Sequence, residues 1–124
     1  MEKIYTKTAP DAIGPYTQAI KAGGFVFTSG QIAIVPESAT VEATDIKGQT
    51  AQVCKNLSAV LEAAGTSLDN VVKTTCFLAD MADFADFNEV YGEYFVSKPA
   101  RSCVAAKQLP RNVLVEIEVV AQIV

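Results

Sequence analysis

Four side chains with chemical potential fall in one stretch, Pro99 to Glu118: Arg101, Cys103, Glu116 and Glu118. A guanidinium can hold a carboxylate in a bidentate pair, and a glutamate can orient a water or take its proton. The stretch reads as two strands joined by a turn. Pro99 suits the first position of a strand because it fixes φ and has no N–H to donate. Leu109-Pro110-Arg111-Asn112 has the composition of a turn. On the first strand Arg101, Cys103 and Ala105 share a face, since side chains alternate. On the second, Val113, Val115, Ile117 and Val119 make an unbroken apolar face, and Leu114, Glu116, Glu118 and Val120 make the other. So apolar a strand belongs in the middle of a sheet. Carboxylates there need partners, because burying one ionised and unpaired is costly or raises its pKa. Arg101 on the neighbouring strand is the expected partner. The residue types alone leave three readings open: a structural Arg–Glu pair, a glutamate row facing water, or a reactive cluster. Ion-pair networks perturb ionisable groups without doing chemistry.

The remaining composition narrows the chemistry. Histidine is absent, which removes Ser-His and Cys-His nucleophiles, imidazole bases and histidine metal ligands. The three cysteines, Cys54, Cys76 and Cys103, form no C-x-x-C pair, and their odd number does not suggest a disulfide framework. Cys54 and Cys76 read as small buried thiols of a reducing compartment. A net charge of −4 lacks the electrostatic footprint of a nucleic-acid binder. The start of the chain has no apolar signal-peptide core, and no run is long enough to span a membrane, so a soluble cytoplasmic protein is expected. The 124 residues suit one domain. Half of them are hydrophobic, rather apolar for a monomer, which suggests apolar surface covered by other subunits.

The elements that must position these residues can be read in order. Residues 2–6 alternate like a short edge strand, and a second strand is expected over about 16–21, with Tyr16 at its start after the Gly14-Pro15 pair. Tyr16 reads as an ordinary surface or core aromatic, or as a phenol lining a pocket. Gly23-Gly24 marks a hairpin turn into a strand from Phe25 to Ile34, broken near Ser29-Gly30. A glycine inside a strand marks a bulge or a close approach to the backbone; Ser29 beside it reads as a bulge serine or as a ligand contact. A loop is expected from Pro36 to about Thr44. An amphipathic helix then spans Asp45 to Ala64, with Ile46, Val53, Leu57, Val60, Leu61 and Ala64 on one face. Thr44 or Asp45 serves as its N-cap, and Gly65 ends it. Val71 to Ala79 reads as a central strand. A second helix, about Asp83 to Phe95, carries an aromatic stripe of Phe84, Phe87, Tyr91, Tyr94 and Phe95. Asn88 sits inside that stripe and needs hydrogen-bond partners there: a nearby loop backbone or, in a functional reading, the loop or a water beside a site. Helix–strand–helix–strand order implies a sheet with its helices on one side.

Four segments together resemble the RidA (YjgF) family over nearly the whole chain: Ile13-Gly14-Pro15-Tyr16-Thr17-Gln18-Ala19; Thr28-Ser29-Gly30-Gln31-Ile32; Phe84 to Asn88 leading into Tyr91; and Pro99-Ala100-Arg101-Ser102-Cys103-Val104 with Leu109-Pro110 and Val115-Glu116-Ile117-Glu118. Two features depart from the family pattern. The Val96-Ser97-Lys98 link is short, and the loop after Ile34 lacks a glycine turn. The resemblance implies an α+β, chorismate-mutase-like fold: a mixed sheet of about six strands with two helices on one face, three copies closing into a barrel. It implies hydrolytic deamination of 2-imino acids such as 2-iminopropanoate and 2-iminobutanoate, tautomers of 2-enamino acids, to 2-oxo acids and ammonia. In that reading Arg101 clamps the substrate carboxylate, Glu116 serves the attacking water with Glu118 as its rival, and Tyr16, Ser29, Asn88 and Cys103 line a pocket between subunits. No metal or organic cofactor is implied, and no nucleic-acid or membrane partner. A non-catalytic trimeric ligand-binding protein is the alternative, with RNA cleavage a more distant one.

Overall fold

Two long strands with opposite running directions carry the rest of the molecule: β6 (Val71–Leu78) and β8 (Val115–Gln122). In the computed structural model, which describes residues 1–124, they are neighbouring inner strands of a six-stranded mixed sheet. Every second residue of β8, Val115, Ile117, Val119 and Ala121, is buried, as alternation requires of a strand with one covered face. On one flank β8 pairs antiparallel with β3 (Phe25–Thr28), then β2 (Ala19–Ala22), then β1 (Glu2–Ile4) at the edge. Gly23 and Gly24, at φ 58° and 82°, form the β2–β3 turn, in a region that glycine enters without a Cβ penalty. On the other flank β6 pairs in parallel with β7 (Ala100–Ala105), the opposite edge. A parallel pair needs a crossover, and helix α2 (Phe84–Tyr94) supplies it.

This topology corrects the expected hairpin. β7 and β8 do not pair; β6 lies between them. The turn at Pro110–Asn112 joins two strands that flank a third. Alternation had identified an inner strand, but it carries no information on which strands lie beside it.

Helix α1 (Ile46–Ala63) and α2 cover one face of the sheet. Asp45 caps α1 by accepting from the Gly48 N–H at 3.1 Å, and Gly65 follows its end at φ 88°. Val53, Leu57, Val60 and Leu61 of α1 meet Cys76, Leu78, Val115 and Ile117 in one core with Phe87, Tyr91 and Phe95. Each fully buried large apolar side chain contributes roughly 1.5–3 kcal/mol by its removal from water. The opposite face has no helix over it and leaves Phe27 47% and Val104 51% exposed. No helix is long and apolar enough to cross a membrane.

Two loops differ from expectation. The second strand starts at Ala19 rather than near Tyr16, because Gly14 (φ 130°) and Pro15 turn the chain before pairing begins. The segment after Ile34 contains a small ribbon, β4 (Ile34–Val35) with β5 (Thr40–Val41), closed by Ala39 in the left-handed region. The break near Ser29-Gly30 is present: β3 stops at Thr28, and Gln31 rejoins the sheet through a single bridge to Ile117.

Candidate active site

The structure divides the expected site residues between two places. The register pairs Arg101 with Thr74 and Thr74 with Val119, so Arg101, Cys103 and the core residues share the helix-covered face. Glu116 pairs with Phe77, and Phe77 with Val104, which puts Glu116 and Glu118 on the open face. Within one chain Arg101 and the glutamates therefore lie on opposite faces, with a strand between theirs. The Arg101–Glu pair expected from the sequence is absent; the chain's ion pairs are Lys21–Glu2 and Lys47–Glu89.

Glu116 lines a cleft of about 560 Å³ with Tyr16, Ser29, Gly30, Gln31 and Arg111. The broken strand makes room for it. Gly30 lies so close over the carboxylate that an added Cβ would stand 2.9 Å from Glu116 Cδ and nearer still to Oε2. The glycine was read as a bulge or a close approach to the backbone; what approaches it in this chain is the Glu116 side chain. Ser29 Oγ donates to the Thr17 carbonyl at 2.6 Å, so toward any further partner it can act only as an acceptor. Tyr16 packs its ring near Gly14 and is 54% exposed at the cleft. Burial, and then the neighbouring Glu118, push the Glu116 carboxyl above the usual carboxylate range.

Arg101 occupies the second place. Its Nη1 donates to Asn88 Oδ1 at 2.7 Å, and its guanidinium carbon stands 4.8 Å from the Tyr91 ring centre, 5.4 Å from Phe84 and 5.9 Å from Phe87. The partner of Asn88 is thus the arginine rather than a loop backbone. Tyr91 is fixed in turn by a 2.7 Å hydrogen bond between its hydroxyl and Thr74 Oγ1. A smaller cavity of about 330 Å³, lined by residues including Tyr91, Val96, Lys98, Pro99 and Arg101, opens beside the guanidinium. Burial pushes the Cys103 thiol up, against a smaller opposing effect of Arg101, so it is held as a thiol rather than a nucleophilic thiolate. Cys54 and Cys76 are buried and pushed up to about 12. No group of three or more Cys, Asp or Glu side chains is placed to hold a metal ion.

Three buried amides that hold the surrounding loops escaped the sequence reading. Asn56 Nδ2 of α1 donates to the carbonyls of Ile32 and Ile34, tying the segment after Gly30 to the helix. Gln18 accepts from the Thr6 N–H and donates to the carbonyls of Thr6 and Pro10, fixing the loop at the cleft wall. Gln49 bridges the Ala43 carbonyl and the Leu114 N–H. For Gln49 and Asn56 the available signal was a polar residue within an apolar helical stripe, the same signal that singled out Asn88; Gln18 precedes β2 and lies in no helix.

A mixed sheet with both helices on one face, carrying a glutamate cleft and an unpaired arginine, places the molecule among small α+β proteins of one well-populated type. Escherichia coli TdcF, whose solved structure contains bound serine, superposes with a TM-score of 0.94 at 41% identity, over 98% of each chain. The chain belongs to the family described as Endoribonuclease L-PSP, the YjgF/RidA/RutC group that its motifs resemble; the family model matches residues 6–123. A RutC family protein of Pyrococcus horikoshii is 56% identical over 97% of this chain and 96% of its own length. Reactive Intermediate Deaminase A, chloroplastic, of Arabidopsis thaliana is 46% identical over 97% of this chain and 65% of its own length.

Proposed function

We propose that this protein hydrolyses short 2-imino acids, such as 2-iminopropanoate and 2-iminobutanoate, to 2-oxo acids and ammonia. The observation that carries the reading is the guanidinium of Arg101, held in place beside an open cavity with no carboxylate of its own. A small carboxylate-bearing substrate supplies the missing anion. The kinship to a reactive intermediate deaminase points to the imine class.

In this reading the substrate carboxylate docks on Arg101, and Glu116 takes a proton from a water as it attacks the C=N carbon. The C–O bond forms while the C=N π electrons move to nitrogen. Glu116 passes that proton to nitrogen, giving the neutral carbinolamine; it then moves the hydroxyl proton to the amine, and the C–N bond breaks so that ammonia leaves as the C=O forms. A carboxyl raised above its usual range is better matched to such proton transfers near neutral pH. Tyr16 and Ser29 line the glutamate's cleft, and Cys103 is a wall residue beside Arg101.

Because Arg101 and Glu116 lie on opposite faces of one sheet, a substrate that meets both needs two copies of the chain. A homotrimer packing its open faces inward, with Phe27 and Val104 covered, meets that need, and each site would then lie between two subunits. A ligand-binding role without turnover is the second reading, favoured by the relative whose structure contains serine. RNA cleavage fits poorly with a net charge of −4 and no histidine.

The test couples the protein to a PLP-dependent dehydratase that releases these imines, with semicarbazide trapping whatever survives. Wild type should suppress trapping, and Arg101→Ala should lose about tenfold or more in kcat/KM, the effect of one charged hydrogen-bonded contact. Absence of suppression by a folded wild-type protein rejects the imine reading and leaves ligand binding.

A further inference from the structure

The contacts of Arg101 are all neutral. Asn88 Oδ1 accepts one hydrogen bond at 2.7 Å, and three aromatic rings lie within 5.9 Å of the guanidinium carbon. An arginine serving only the fold would be held more strongly by an aspartate at position 88, which would offer a charge-assisted pair. An asparagine fixes the geometry and leaves the positive charge uncompensated. The aromatic side is fixed too. Tyr91, the nearest ring, is tethered through its hydroxyl to Thr74 Oγ1 at 2.7 Å and stacked on Phe95 at 4.5 Å, so it cannot follow a wandering guanidinium. Phe87 is fully buried against it, 5.4 Å away between centroids.

We infer that Asn88 is a positioning residue for Arg101, and that the Thr74–Tyr91 pair fixes the aromatic floor on which the guanidinium rests. Together they orient the cation before a ligand arrives and leave its charge for an incoming monocarboxylate. This rests on the reading of Arg101 as the carboxylate clamp. It changes the role expected for Asn88, from lining the pocket to acting through the arginine. Orientation fixed in the free protein is not purchased again at binding, which is what pre-organisation contributes to affinity.

The experiment is calorimetric titration of 2-oxobutanoate, a small 2-oxo acid, into the intact protein and its variants. Arg101→Ala should weaken binding about tenfold or more. Asn88→Asp should weaken it about as much, because the ligand must displace an internal ion pair, while thermal stability is kept or raised. Opposite movement of affinity and stability is not what a merely structural asparagine would give. Asn88→Ala should weaken binding by about three- to tenfold and have no further effect in an Arg101→Ala background. Additive losses there would mean that Asn88 touches the ligand itself, and would overturn the inference. Unchanged affinity in Asn88→Asp alongside a loss in Arg101→Ala also overturns it. Unchanged affinity in Arg101→Ala removes the clamp reading on which it rests. If Asn88→Asp does not fold, Tyr91→Phe decides: it keeps the ring, releases the tether and should cost about two- to fivefold in affinity, the loss of one neutral hydrogen bond, and full affinity counts against the inference.

Discussion

Replacing Gly30 by alanine should remove most of the activity and little of the stability. The added Cβ would stand 2.9 Å from Glu116 Cδ and 3.1 Å from Cγ, with Oε2 closer still. Ordinary contact for such a pair begins at 3.4 Å, so the carboxyl carbon must retreat by about half an ångström and its oxygen by more. The atoms that give way are the end of a flexible side chain, and the backbone of Gly30 is not in the left-handed region. The folding cost should therefore stay within about 1 kcal/mol, part of it offset by the reduced freedom of the unfolded chain. Chemistry is less forgiving: a reacting group misplaced by about 1 Å can lose about a hundredfold. The expected result is kcat reduced by about ten- to a hundredfold with Tm moved by only a few degrees. The imine-trapping assay and a thermal melt on the same preparation measure both. Full activity in Gly30→Ala would show that the carboxylate position set by this contact is irrelevant to turnover, and would refute Glu116 as the group serving the water.

Three further outcomes test the electrostatics and the scaffold. Burial and Glu118 both raise the Glu116 carboxyl. Glu118→Gln removes the like charge, so the limb of the pH–rate profile on which activity rises as Glu116 deprotonates should move to lower pH; an unmoved limb rules out Glu116 as its source. The same shift carries a stability sign. A carboxyl raised in the folded state favours folding below its unfolded value of roughly 4.3 and loses that contribution as pH rises through the folded value. Wild type should thus lose Tm relative to Glu116→Gln across that window. Asn56→Leu would leave the Ile32 and Ile34 carbonyls without their donor. It should cost about 1–3 kcal/mol in urea unfolding and impair turnover through the Gly30 segment; an undiminished midpoint would show that water replaces the amide.

Local pattern determined much of this protein. The alternation of Val115, Ile117 and Val119 identified the buried face of an inner strand, because a period of two admits only one side chain orientation per residue. Helical spacing placed Val53, Leu57 and Leu61 in the core, and the Asp45 cap and Gly65 stop bounded α1 closely. The break at Ser29-Gly30 was legible because glycine interrupts a strand pattern, although which group approaches that glycine was not. Asn88 was marked by its place in an apolar stripe, without its partner. What lay beyond the sequence was adjacency across the sheet. Arg101 and Glu116 are close along the chain, yet β6 inserts between their strands and the register turns them to opposite faces. Alternation fixes a side chain's face relative to its own strand neighbours only. Whether two strands share that face as neighbours depends on long-range pairing, and that pairing is set by how the α2 crossover packs against the finished core.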